Sequence, residues 1–124
     1  MHVYLVDDER VPLRVLKMAV ERAGYVCECF HNGRDALERI RESQPAALVT
    51  DIEMPVMTGE ELCGALEAEL PEREFPIFVV TGVTDLNHRG WSRAIKDLHF
   101  IEKPISAKAL IAALDDRLRE GDAA

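Results

Sequence analysis

Phe75-Pro76-Ile77-Phe78-Val79-Val80 is an unbroken apolar run that stops at Thr81-Gly82, and it narrows the choice of fold more than any other stretch. A strand with one wet face alternates apolar and polar residues, whereas a short continuous run between turn signals reads as a strand covered on both faces. Such a strand needs helices above and below it.

The flanking sequence supplies them in alternation. Val3 to Val6 is a short apolar strand, broken by Asp7-Asp8-Glu9. Pro12 suits a first helical turn, and Val11, Val15, Met18, Ala19 and Ala23 recur at helical spacing until Gly24, which predicts a helix that buries this stripe. Tyr25 to Phe30 reads as a strand, Asn32-Gly33 as a turn and helix start, and Ala36, Leu37 and Ile40 as the next apolar stripe. Gln44-Pro45 precedes the buried strand Ala46 to Val49, and Asp51 falls where that strand ends, which predicts an exposed carboxylate on a rigid edge. Thr58 and Glu61 form a capping box for a helix carrying Leu62, Cys63, Ala65, Leu66 and Leu70, with Pro71 beyond it.

Between Asp85 and Leu98, the residues Leu86, Trp91, Ala94, Ile95 and Leu98 fit one helical face, although Gly90 weakens such a helix by about 1 kcal/mol relative to Ala. Phe100-Ile101 makes a very short strand, and Ser106 caps a last helix with Leu110, Ala113, Leu114 and Leu118 inward and Gly121 past its end. Five strands alternating with five helices predict a single α/β domain over residues 1–124. Its sheet is parallel and doubly wound, with helices on both faces and the functional crevice at the carboxyl ends of the strands.

Charge and cysteine usage limit the partners. Fifteen basic against 23 acidic residues give a net charge of −8, which argues against non-specific attraction to nucleic acid or an anionic membrane. No apolar run approaches the roughly 18 residues of a spanning helix, so a cytoplasmic protein with no membrane partner is expected. Three cysteines do not make a disulfide framework. Cys27, Cys29 and His31 share one face of a strand and could hold a soft metal, but no fourth ligand follows at suitable spacing, so packing is the better reading for them, as for Cys63.

The carboxyl ends of the strands bring Asp7, Asp8, Asp51, Thr81 and Lys103 toward one crevice. Three carboxylates packed together repel one another unless a cation neutralises them, and hard oxygen ligands with room for water suit Mg²⁺. A hydroxyl, an ammonium and an acid pair around one further carboxylate are the groups that stabilise a phosphoryl group moving onto that carboxylate.

With the acidic pair Asp7-Asp8, Asp51 inside DIEMPVMTG, Thr81 followed by Gly82, and Lys103-Pro104, nearly the whole chain resembles a response-regulator receiver domain, the CheY-like module of two-component signalling. The resemblance implies a flavodoxin-like sheet of strand order 2-1-3-4-5. It also implies that Asp51 accepts a phosphoryl group from a sensor histidine kinase, a phosphotransfer protein or a small phosphodonor, assisting its own phosphorylation and dephosphorylation without being an enzyme in the usual sense. Asp8, Asp51 and the backbone carbonyl of Glu53 would bind Mg²⁺, with Asp7 acting mostly through a metal-bound water. Lys103 would pair with the phosphoryl oxygens, and Thr81 and Phe100 would switch together. Output would pass by protein contact from the surface of the fourth and fifth helices and fifth strand to a downstream protein, with no direct nucleic-acid contact; a phosphorylation-dependent dimer is compatible with it.

Two departures from the family pattern stand out. The family's glycine-containing turn before the fifth strand is replaced by Ile95-Lys96-Asp97-Leu98-His99, which predicts a short or shifted fourth helix. Glu53 lies two residues after the acceptor, where it could tune loss of phosphate to water. The competing readings are a never-phosphorylated adaptor and a haloacid-dehalogenase-type phosphatase, whose signature wants Asp where Glu53 stands. A flavodoxin-like cofactor binder is disfavoured, because Asp7-Asp8-Glu9 would repel a bound phosphate.

Overall fold

A computed structural model describes residues 1–82 and 90–119. The elements run β1 (His2–Val6), α1 (Arg10–Arg22), β2 (Val26–Phe30), α2 (Gly33–Glu42), β3 (Ala47–Asp51), α3 (Gly59–Glu69), β4 (Ile77–Thr81), β5 (Leu98–Glu102) and α4 (Ala107–Leu118). The five strands form one sheet in the order β2-β1-β3-β4-β5, every pair parallel. Every residue of β3 and β4 is buried, as the continuous apolar run requires.

Two cores flank the sheet. On one face Val3, Leu5, Val49, Phe78 and Val80 meet Leu13, Leu16 and Val20 of α1 and Leu110 and Leu114 of α4. On the other Tyr4, Leu48, Ile77 and Val79 meet Ala36, Leu37 and Ile40 of α2 and Leu62, Cys63 and Leu66 of α3. Burial pushes the Cys63 thiol up to about 12, consistent with a packing role. Local signals agree with these elements: Asn32 accepts from the Asp35 N–H, Ser106 from the Ala109 N–H, and Thr58 and Glu61 complete a reciprocal capping box. Among the described residues no helix is long and apolar enough to cross a membrane.

Three expectations need correction. The buried stripe of α1 has a different phase from the expected one: Val11, Val15 and Met18 are 76%, 57% and 49% exposed, while Leu13, Leu16 and Val20 face the core. Both sets have helical spacing, and the leucines fill the space against β1 and β3 better. The helix count is four among the described residues, with a 3₁₀ turn at 90–94 and Leu98 already in β5; Leu86 and the stop signal at Gly121 lie outside the described residues. Finally, Asp51 is buried rather than exposed, with 7% of its surface accessible, because Lys103 and the loops around it close over the strand end.

The turn before β5 keeps a left-handed residue without glycine. Asp97 sits at φ 57°, a region that Asp tolerates better than most residues, and its carboxylate is anchored by Arg117 Nη2 at 2.6 Å and His99 Nε2 at 2.7 Å. Trp91 packs edge-on against Phe100, ring centroids 6.2 Å apart, so core contact rather than a free aromatic anchor describes it.

Candidate functional site

Parallel pairing aligns the carboxyl ends of β1, β3 and β4, and with them the side chains that follow. Ligand oxygens of Asp7, Asp8 and Asp51 all lie within 4.8 Å of one another. Lys103, just after β5, brings its Nζ to 2.9 Å from Asp51 Oδ2, and the Ile52 N–H donates to Asp51 Oδ1 at 2.8 Å. The Asp51 carboxylate is therefore oriented by one donor on each oxygen.

The loop between β3 and α3 depends on a glycine. A Cβ at Gly59 would collide with the Asp51 carbonyl oxygen and approach the Ile52 Cα at 2.9 Å, while the Gly59 N–H donates to the Ile52 carbonyl at 2.7 Å. In the same loop Val56 adopts φ 68°, unfavourable for a β-branched residue. Thr81 is fully buried at the end of β4, and its carbonyl accepts from the Lys103 N–H at 2.7 Å. The peptide between Lys103 and Pro104 is cis.

The site lies at the meeting of a cavity of about 540 Å³, walled largely by Leu5, Leu13, Leu16, Pro104 and Ile105, and a polar cleft bordered by Asp8, Glu53 and Pro55. An apolar wall lowers the local dielectric and strengthens every charge interaction within it. Burial pushes the Asp7 carboxyl up, and the charge of Asp51 adds to the shift, despite the Glu9 N–H that donates to Asp7. Burial alone would lower the Lys103 ammonium, but hydrogen bonding to Asp51 and the charges of Asp51, Asp7 and Glu9 raise it on balance.

Of the residues singled out by sequence, Asp7, Asp8, Asp51 and Lys103 converge, Thr81 sits beside them at the end of the adjacent strand, and Glu53 lines the exposed rim. Phe100 stands apart on β5 against Trp91 and the second core. The donor set is entirely hard oxygen, suited to a small divalent cation rather than a soft metal. Among the described residues this acid triad is the one convergent group of three ligating side chains, so Cys27, Cys29 and His31 do not gather as a metal site. Sequence reasoning missed the Ile52 N–H and the close approach at Gly59. The glycine of the MPVMTG stretch was the available signal for the second; a backbone donor leaves none.

Comparisons with known proteins agree with this fold. The family model for the response regulator receiver domain matches residues 3–115. The response regulator MprA of Mycobacterium ulcerans is 31% identical over 121 residues, covering 96% of this chain and 50% of that protein. A protein named as the DNA-binding transcriptional regulator NtrC, from Proteus hauseri, is 27% identical over 92% of this chain and 24% of its own length. The chain thus spans about half the length of MprA and less of NtrC. Among solved structures, the chemotaxis protein CheY4 of Vibrio cholerae superposes with TM-score 0.84 at 26% identity, covering 94% of this chain and 98% of that one. The receiver domain of a signal transduction histidine kinase from Syntrophus aciditrophicus gives 0.84 at 28% identity, over 96% and 90%. Matched to the family model over residues 3–115, the chain belongs to the response regulator receiver domains of two-component signalling.

Proposed function

We propose that Asp51 is a phosphoacceptor. An Asp51 oxygen attacks the phosphorus of a phosphohistidine on a sensor kinase or phosphotransfer protein, the P–N bond breaks, and the imidazole nitrogen takes a proton as the acyl phosphate forms. The observation that carries this reading is the placement of Asp51 between Lys103 Nζ at 2.9 Å and two further carboxylates within 4.8 Å. Asp7, Asp8, Asp51 and the Glu53 carbonyl would hold Mg²⁺, which when bound supplies positive charge to the acids and the phosphoryl oxygens. Lys103 offers an ammonium already directed at Asp51 Oδ2 and supports the new negative charge.

The added charge gives the Thr81 hydroxyl a strong acceptor, and the strand that carries Phe100 is hydrogen-bonded to the one that ends at Thr81. A shift of Thr81 toward the phosphoryl group therefore biases the packing of Phe100 on Trp91 and the surface formed by the 90–98 segment, β5 and α4. We place output there, by contact with a downstream protein; the net charge of −8 favours this over direct binding to nucleic acid. Glu53, exposed at the rim, is assigned to tuning phosphoryl loss to water, and an unchanged dephosphorylation rate in Glu53→Ala would remove that role.

Intact mass after incubation with acetyl phosphate tests the central claim. The expected result is one Mg²⁺-dependent phosphoryl adduct, absent from Asp51→Ala. No adduct with any donor, together with no beryllofluoride binding, would refute phosphoacceptance and leave a protein-binding adaptor.

A further inference from the structure

The cavity beside Asp51 is larger and more apolar than a phosphoryl group needs. Its space of about 540 Å³ lies between Leu5 and Val80 of the sheet, Leu13 and Leu16 of α1, and Pro104 and Ile105 of the loop that follows β5. Protein interiors are otherwise close-packed, so an apolar volume of this size has the dimensions of a ligand pocket and not of a packing defect. Only its mouth is polar, lined by Asp7, Glu9, Asp51 and Lys103. Lys103, the one cation among them, is directed at Asp51 Oδ2 at 2.9 Å, which leaves an excess of negative charge at the mouth on Asp7 and Glu9. The Glu9 N–H donates to one oxygen of Asp7 at 3.0 Å, so the second can accept from a ligand.

We propose that this cavity binds a small amphiphilic amine, a compact hydrocarbon body of about ten non-hydrogen atoms bearing one ammonium group, and that the amine regulates Asp51 by competing with Mg²⁺. The hydrocarbon body fills the space between the sheet, α1 and the β5–α4 loop and leaves water. The ammonium sits at the mouth and donates to the carboxylates of Asp7 and Asp51, which present oxygens within 4.8 Å of each other. The acid cluster would hold Mg²⁺ at the same position, so the two ligands exclude one another. A carboxylate head would be repelled by Asp7 and Glu9, and a neutral head of the same shape forgoes the charge-assisted bonds. The site therefore selects on both halves of the molecule. The competition bears on phosphoacceptance only if Asp51 is the acceptor proposed above, whereas binding of the amine does not rest on that reading.

The test titrates 2-phenylethylamine, 2-phenylethanol and methylamine into the full chain in metal-free buffer, with backbone amide chemical shifts as the readout. 2-Phenylethylamine is expected to bind with a Kd of about 1 mM and to shift the amides of Asp7, Leu13, Leu16, Val80 and Ile105. The alcohol has the body without the charge and methylamine the charge without the body, so each should bind about tenfold more weakly or worse. Mg²⁺ at about ten times its own Kd should raise the apparent Kd of the amine about tenfold by mass action. Ile105→Trp, which fills the cavity, should lose the amine while circular dichroism shows an unchanged fold; if that variant does not fold, the position of the shifts in the parent protein decides.

Equal affinity for the alcohol or for methylamine, shifts that fall away from the cavity, or amine and Mg²⁺ bound together would each overturn the proposal. Acetyl phosphate separates it from the phosphoacceptor reading. Amine binding displaced by Mg²⁺ in a protein that forms no phosphoryl adduct would remove that reading and leave the amine site. A phosphoryl adduct whose formation saturating 2-phenylethylamine does not slow would remove the regulation proposed here and leave phosphoacceptance intact.

Discussion

Replacing Asp7 by Asn separates the electrostatics of the acid crevice from its chemistry. Asp7 and Asp51 present oxygens within 4.8 Å, a repulsion of about 3.5 kcal/mol at an effective dielectric of about 20 and about 1 kcal/mol in water. Asp7 is half-buried, so the true value falls between these limits, and the lost attraction to Lys103 offsets part of it. Asn retains an oxygen that can accept from the Glu9 N–H, so the local turn survives. A gain of about 1 kcal/mol is expected for the metal-free protein, or about 3–5 °C in Tm for a domain of this size. Mg²⁺ should reverse the order: at a hundred times its Kd, a bound ion stabilises by about 2.7 kcal/mol, and the variant, with one acid fewer, gains less. Thermal unfolding in EDTA and in a Mg²⁺ series reads both effects, with circular dichroism as the signal. An Asp7→Asn variant that melts below the parent in EDTA, or that gains as much from Mg²⁺, would refute the account of the crevice as a strained acid cluster relieved by a cation.

Other perturbations act at separate points. Val56→Gly should stabilise the protein by about 1 kcal/mol in urea unfolding, since it relieves a left-handed β-branched residue that is 72% exposed and contributes little burial. Gly59→Ala should cost about 2 kcal/mol and lower the rate of Asp51 phosphorylation, because the added methyl displaces the backbone that carries the carboxylate. Leu66→Ala, in the core between α3 and the sheet, should cost about 2–5 kcal/mol by the same assay, as is typical of a buried leucine. Asp97 is raised by burial but held below its ordinary carboxyl value on balance by Arg117 and His99. Its contribution is present above the unfolded value near 3.8 and is lost as pH falls through the lower folded one, so Asp97→Asn should flatten the acid limb of the stability profile in that window.

The sheet was legible because each strand carries its own signal: uninterrupted apolar residues in β3 and β4, and turn chemistry at Asn32, Thr58 and Ser106. The acids and Lys103 could be placed in one crevice as soon as the strands were taken as parallel. What stayed hidden depends on three dimensions. Two apolar stripes wind around α1, and only the leucines' fit against β1 and β3 selects Leu13, Leu16 and Val20. The burial of Asp51 comes from Lys103, 52 residues away, folding over it. Arg73 is equally silent in sequence: it is buried, bonds Glu67 at 3.1 Å and the Lys96 carbonyl, and ties α3 to the turn before β5.

The strand order also has a consequence for synthesis on the ribosome. After β3 pairs with β1, the sheet extends in one direction only, first by β4 and then by β5. A nascent chain that has emerged only as far as Thr81 exposes β4 as an open, largely apolar edge, and it still lacks Leu110 and Leu114, which cover Phe78 and Val80. Such an edge invites pairing with another chain. The interval between emergence of β4 and docking of α4 is therefore when this domain most needs a chaperone, and slowing translation across that interval should increase aggregation more than slowing it anywhere earlier.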